Sequence, residues 1–283
     1  MTHSSDPLMK RLRLNIRRYG VDETIRMVPK HLLERTGRRL LNPSLEAIHQ
    51  AVTGVDLEPL AFVQHMLGVD PPFKFGPLLA EYAELREGVR MAAADPNLSY
   101  PGHFRMEGAS LLATYALVRL RKPDVVVETG VANGESTYFL LSALERNGHG
   151  RLISIDVASD VGSIVPREDR GRWTLIVLSR PFSRSFRREF AHLAPFDIFI
   201  HDSCHDYRWQ SLEYSLALDR LRHDGMLLSD DVDWSYAFID AVKQAGRDAF
   251  ALIDGRKVFG GIRPEGPYNC ESSTIPIEMR PDP

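Results

Sequence analysis

Val125-Val126-Val127-Glu128-Thr129-Gly130-Val131-Ala132-Asn133-Gly134-Glu135-Ser136-Thr137 runs from apolar residues into a carboxylate, then through two glycines four apart, and at once into a helical pattern. That order predicts a buried parallel strand turning tightly into a helix whose N-terminus faces a ligand. Gly130 and Gly134 permit the sharp turn and let the backbone come close to a bound molecule. The next apolar run, Leu152-Ile153-Ser154-Ile155, closes on Asp156, 22 residues past Gly134. An acid at a second strand end at that distance meets a ribose. Together these features read as a site for a nucleoside cofactor.

Outward from this stretch, strand and helix alternate. Strands are expected near 124–128, 151–155, 173–178, 196–201 and 225–229, with helices near 134–146, 182–192, 207–222 and 236–246. The alternation predicts an α/β fold, a mostly parallel sheet flanked by helices. An amphipathic helix over 107–120 precedes the first of these strands and ends at Lys122-Pro123. Phe250-Ala251-Leu252-Ile253 and Lys257-Val258-Phe259-Gly260-Gly261-Ile262, joined by Asp254-Gly255-Arg256, form a hairpin that would put an antiparallel strand at the sheet's edge. Residues 1–99 read as a helical N-terminal region broken at Gly20, Pro29, Gly37, Pro43, Gly54, Pro71-Pro72 and Pro96. Residues 100–263 form the α/β domain and 264–283 an irregular, proline-rich tail.

The chain has 283 residues, 43% hydrophobic and 26% charged, ordinary values for a globular protein with a sizeable core. No apolar run approaches the roughly 18 residues of a membrane span, and no secretory signal is expected. Two cysteines, Cys204 and Cys270, supply neither a disulfide framework nor zinc spacing, which fits a cytoplasmic location. The net charge of −3 conceals a segment, residues 9–39, that carries +7. Its basic face is either a solvated helix surface or a peripheral contact with anionic lipid or a phosphorylated substrate. Nucleic acid is not expected as a partner, because the basic residues lack interleaved aromatics.

The glycine turn narrows the cofactor. A dinucleotide site wants G-x-G-x-x-G, whereas here Ala132 takes the middle position and Glu128 stands before the turn. A carboxylate there repels a pyrophosphate but suits a cofactor bearing an ammonium and a sulfonium. The pattern resembles motif I of the class I S-adenosylmethionine-dependent methyltransferases. That resemblance implies a Rossmann-like fold with a seven-stranded sheet, with Glu128, Gly130 and Gly134 lining the methionine end and Asp156 taking the ribose hydroxyls.

A second constellation follows. Phe196-Asp197-Ile198-Phe199-Ile200-His201-Asp202 is a short strand ending in an acid, and Met226-Leu227-Leu228-Ser229 ends in Asp230-Asp231. In a doubly wound sheet these strand ends share a crevice with Glu128 and Asp156. Carboxylates gathered there repel one another unless protons or a cation neutralise them. Hard oxygen ligands suit Mg²⁺, Ca²⁺ or Mn²⁺. Such a metal would hold a substrate hydroxyl and lower its pKa.

Asp202 with Asp230 and Asp231 resembles the metal triad of the cation-dependent O-methyltransferases of catechol and caffeoyl-CoA type, and of the related sugar and macrolide enzymes. His201-Asp202-Ser203-Cys204-His205-Asp206-Tyr207 is similar to the His-Asp-Ser-x-His-x-Tyr pattern of the bacterial methyltransferase family 24, some members of which carry a cephalosporin-hydroxylase label. The segment opening at Glu107-Gly108 resembles the one before motif I in these enzymes. The likeness spans about 100–262. Three departures stand out: His223-Asp224-Gly225 replaces Pro-Gly-Gly, Leu178-Ser179-Arg180 leaves the adenine contact unassigned, and Asp231 replaces an Asn.

The resemblance implies transfer of a methyl group to a hydroxyl, with Asp202 as metal ligand and Asp202 or His205 as proton acceptor. Asp202 could instead cap the following helix, and Asp230 or Asp231 the helix after that. His205 is either a base or an outer partner of the metal. His201 packs at the strand end, and Cys204 has no activating partner in view. Tyr207, Trp209, Trp234 and Tyr236 line a pocket or pack helices. The acceptor is a small molecule, with a saccharide hydroxyl as the default by analogy; the oligomeric state stays open, a homo-oligomer included. Two other functions remain, an NAD(P)-dependent oxidoreductase and a non-catalytic pathway protein that keeps a cofactor pocket.

Overall fold

The computed structural model describes residues 42–69, 75–95, 98–100, 106, 108–166, 168–255 and 257–265. The basic segment 9–39, Glu107 and the tail past Glu265 lie outside these residues. Ser44 opens the compact unit that holds every element below. In chain order these are α1 (Leu45–Ala51), β1 (Gly54–Asp56), α2 (Pro59–Leu67), α3 (Gly76–Ala92), α4 (Gly108–Arg121), β2 (Val125–Thr129), α5 (Glu135–Asn147) and β3 (Arg151–Asp156). A 3-10 turn (Glu168–Arg172) leads to β4 (Trp173–Val177), α6 (Phe182–His192), β5 (Phe196–His201), α7 (Tyr207–Leu218), β6 (Leu221–Ser229), α8 (Ala237–Ala245), β7 (Ala249–Asp254) and β8 (Lys257–Ile262).

One sheet contains all eight strands in the order β1-β7-β8-β6-β5-β2-β3-β4. Every described pairing is parallel except those of β8. Strand order reverses between β2 and β5, so the crevice beyond their carboxyl ends is the switch point where such sheets bind ligands. The valines of β2 alternate across the sheet. Val126 joins a core with Phe62, Tyr115 and Phe139, while Val125 and Val127 face Phe186, Phe199 and Tyr214. Burial on both faces explains the unbroken apolar run.

The sheet differs from expectation in two ways. It has eight strands rather than seven, because β1 pairs in parallel with β7 through Gly54 and Phe250. The antiparallel strand is also interior, since β8 lies between β6 and β7. Its glycines show why. A Cβ on Gly260 would come within 2.6 Å of Phe238 in α8, and one on Gly261 within 2.7 Å of Met66 in α2. Helices therefore close on β8 from both faces, which an edge strand does not need.

The core also runs across residue 100. Phe62, Met66, Leu78 and Tyr82 share one cluster with Tyr115, Phe139 and Leu152, so the helices of 59–92 are part of the same core. Glu81 of α3 accepts from Tyr115 Oη at 2.9 Å and Arg119 Nε at 2.8 Å, both on α4.

Helix α7 stops at Leu218 rather than 222, and β6 begins at Leu221. Strand β6 advances from Leu221 to Met226 while β5 advances only from Phe196 to Ile198. The extra residues form a bulge instead of the turn expected at Asp224-Gly225. Asp197 fixes it, accepting from Arg222 Nη1 at 2.6 Å and from the Val125 amide at 2.8 Å. Among the described residues, no helix is long and apolar enough to cross a membrane.

Candidate active site

The turn after β2 is built from left-handed residues: Gly130 at φ 82°, Ala132 at φ 48° and Gly134 at φ 92°. A Cβ on Gly130 would overlap the carbonyl oxygen of Asp202, and one on Gly134 would lie 2.8 Å from Gly162 Cα. Both glycines are thus required by the chain's own contacts, with the end of β5 and with the loop after β3. Replacing Gly130 by alanine is expected to cost roughly 2 kcal/mol or more, from positive φ plus overlap. Urea unfolding of the variant measures this, and an unchanged midpoint would mean that the turn can shift.

Glu128 is the penultimate residue of β2. It is fully buried, and its carboxylate accepts from Ser136 Oγ at 2.7 Å, Thr137 Oγ1 at 2.8 Å and Ser154 Oγ at 2.7 Å. Burial pushes its carboxyl up, against those three hydrogen bonds. It braces β2, β3 and the first turn of α5, and its charge reaches Asp156 and Asp202 at the neighbouring strand ends. Asp156 is partly exposed at the end of β3. Its Oδ2 accepts from the Val131 amide at 2.9 Å, and Oδ1 from the amides of Val157 at 2.6 Å and Ala158 at 3.0 Å. The carboxylate so holds the glycine turn against β3.

Asp202, His205, Asp230 and Asp231 do come together beyond β5 and β6. Asp202 caps no helix, since Asp206 caps α7 by accepting from the Arg208 amide at 3.1 Å. Neither Asp230 nor Asp231 caps α8, where Ser235 Oγ accepts from the Ala237 amide at 3.2 Å. Asp230 is fully buried, and its Oδ2 lies 3.0 Å from Lys257 Nζ. Asp231, at φ 50°, places Oδ2 3.4 Å from the same ammonium and 3.1 Å from His205 Nε2.

Charge crowding appears in the ionisation of these groups. Burial and then the Asp230 carboxylate push Asp202 well up, with Lys257 opposing. Burial and Asp231 raise Asp230 to about 6, again against Lys257. Burial holds His205 well below the usual histidine range, and His201 and Lys257 add to this. Burial thus favours the neutral imidazole. With Asp231 Oδ2 3.1 Å from Nε2, the proton is favoured on that nitrogen and the lone pair on Nδ1. That Nδ1, Asp230 Oδ1 and His201 Nε2 are all buried without a hydrogen-bond partner among the described residues.

The three acids do not form the metal cage expected of them. The ammonium of Lys257 lies against the two carboxylates that were to hold a divalent ion. Among the described residues, no three His, Cys, Asp or Glu side chains converge closely enough to hold one.

Two functional side chains escaped the sequence reading. Lys257 was seen only as the first residue of a strand; its reach to β6 depends on β8 being interior. The other is Glu213 on α7, which accepts from Thr129 Oγ1 at 2.6 Å, His201 Nδ1 at 2.5 Å and Ser203 Oγ at 2.8 Å. A carboxylate on a helix face shared with Gln210, Tyr214 and Ala217 was the available signal. His201 is locked beneath the site by this contact, as a packing residue. Tyr207 and Tyr236 are exposed, whereas Trp209 packs on Phe186 with ring centroids 5.6 Å apart.

A doubly wound sheet with one interior antiparallel strand and acids at its switch point defines the Rossmann-like fold of the class I methyltransferases. Over residues 127–232 the chain matches a family model described as Methyltransferase domain, the family numbered 24. Among solved structures, the O-methyltransferase of Bacillus cereus in complex with SAH is similar at 18% identity, over 72% of this chain and 97% of that chain, with a TM-score of 0.46. The SAH-bound methyltransferase of Podospora anserina is similar at 14% identity, over 80% and 99%, with a TM-score of 0.45. A methyltransferase of the mycinamycin biosynthetic pathway, in complex with Mg and SAH, is similar at 19% identity, over 52% and 36%, with a TM-score of 0.37. No curated protein matches the chain.

Proposed function

We propose that the protein moves a methyl group from S-adenosylmethionine to the hydroxyl of a small-molecule acceptor, with a saccharide as the default class, in the cytoplasm. The observation that carries this reading is His205 beside the switch-point crevice of a methyltransferase domain, its Nε2 held by Asp231 and its Nδ1 unpaired. S-adenosylmethionine supplies an activated methyl on a sulfonium. The acceptor oxygen loses its proton to His205 Nδ1 and forms the O–CH₃ bond. The C–S bond breaks as it does so, its electron pair staying on sulfur and leaving a neutral thioether. Asp202, whose carboxylate has no hydrogen-bond partner among the described residues, faces the same strand ends and orients the hydroxyl. The acidic crevice favours a positively charged donor and disfavours a pyrophosphate, which argues against the NAD(P) alternative.

Calorimetric titration of the full chain with S-adenosylhomocysteine, and separately with NADH, tests this directly. Micromolar binding of the first and no heat from the second is expected. Heat from NADH alone would move the protein to the oxidoreductases. Asp156→Ala is expected to weaken S-adenosylhomocysteine at least about tenfold, through loss of a charged hydrogen-bond acceptor and of the tether on Val131. Unchanged affinity would remove the ribose role.

A further inference from the structure

We infer that the ammonium of Lys257 is the resident cation of the acidic crevice, standing where the carboxylate cluster would otherwise hold a divalent metal. The argument is one of charge and place. Three carboxylates at the ends of β5 and β6 repel one another, and a cation among them relieves that repulsion. Lys257 Nζ lies 3.0 Å from Asp230 Oδ2 and 3.4 Å from Asp231 Oδ2, and its side chain is only 22% exposed. A metal at these oxygens would need them at roughly 2.0–2.6 Å and would have to evict a like charge first.

The fold puts the lysine there. Strand β8 is inserted between β6 and β7, the Val232 amide donates to the Val258 carbonyl at 2.9 Å, and Lys257 pairs with Asp254 across the hairpin. The backbone at Lys257 is thus fixed from both sides. Asp231 in turn holds His205, so Lys257 is a positioning residue for the proton acceptor. A single ammonium leaves the crevice acidic, as suits a sulfonium donor. That last role rests on the methyl-transfer reading; occupancy of the site by Lys257 does not.

The test is binding of Mn²⁺, followed by electron paramagnetic resonance on the full chain without cofactor. The wild type is expected to leave Mn²⁺ free up to millimolar concentration. Lys257→Met, similar in length but uncharged, is expected to bind it at least tenfold more tightly than the wild type, and the added Asp230→Asn to abolish that gain. Lys257→Arg should stay silent, keeping a cation in place. Micromolar Mn²⁺ binding by the wild type that Asp230→Asn removes would overturn the inference, and this measurement stands even where Lys257→Met fails to fold. Equal silence of the wild type and a folded Lys257→Met would overturn it too, because the carboxylates would then be no metal site that a lysine replaces. Failure of S-adenosylhomocysteine to bind would sink the methyl-transfer reading and leave this result untouched.

Discussion

With an acceptor in hand, His205→Ala is expected to lower kcat by roughly 10²–10⁴-fold, the usual worth of a positioned general base, while S-adenosylhomocysteine binds as before. The expectation follows from tautomer control. Asp231 Oδ2, 3.1 Å from Nε2, favours the proton on that nitrogen, so the lone pair sits on Nδ1, which has no hydrogen-bond partner among the described residues. Asp231→Asn should therefore act in the same direction. A carboxamide can turn its NH₂ toward Nε2, draw the proton to Nδ1 and leave no base for the acceptor. Single-turnover transfer from labelled donor separates this from a binding defect. Full activity of His205→Ala would assign proton removal to Asp202.

Much of this arrangement was legible in the sequence because it depends on local order along the chain. An apolar run closing on an acid, then a glycine turn, marks β2, and the same pattern marks β3, β5 and β6 to within a few residues. Since strand ends of a doubly wound sheet share one crevice, the meeting of Asp202, Asp230 and Asp231 followed from topology alone. Matters of register were not legible. Whether the last strand sits at the edge or inside depends on Gly260 and Gly261 being pressed from both faces, by Phe238 and Met66. That choice decides whether Lys257 meets Asp230, and so whether the crevice needs an external cation.

Direction was equally hidden. A sequence places Glu128 at a strand end but cannot say to which side the carboxylate turns. Here it turns inward to hydroxyls contributed by α5 and β3, while Asp156 keeps a partly exposed carboxylate that touches the turn. The extra strand β1 is short, only Gly54–Asp56, and lies between two helices, so its three residues carried no periodic signal.

Glu128→Ala is expected to be the most destabilising single change in the domain, at about 3–5 kcal/mol. The residue has no exposure to solvent, and its two oxygens satisfy Ser136, Thr137 and Ser154 at once. Ser154 is itself tied to Trp173 Nε1 at 2.9 Å, so the loss would spread into β4. Removing the carboxyl strands three buried hydroxyls and opens a void. Glu128→Gln preserves the volume and one acceptor, and its NH₂ can donate to a hydroxyl oxygen. Its cost should be only about 1–2 kcal/mol. Because burial already pushes the Glu128 carboxyl up, an uncharged side chain is tolerated there far better than an absent one. Urea unfolding of the two variants gives the comparison, and a Glu128→Ala loss within about 1 kcal/mol would rule out the brace. Titration of Glu128→Gln with S-adenosylhomocysteine then decides what the brace is for. Wild-type affinity would follow from a carboxylate that turns away from the crevice, whereas a large loss in a stably folded variant would return Glu128 to the methionine end.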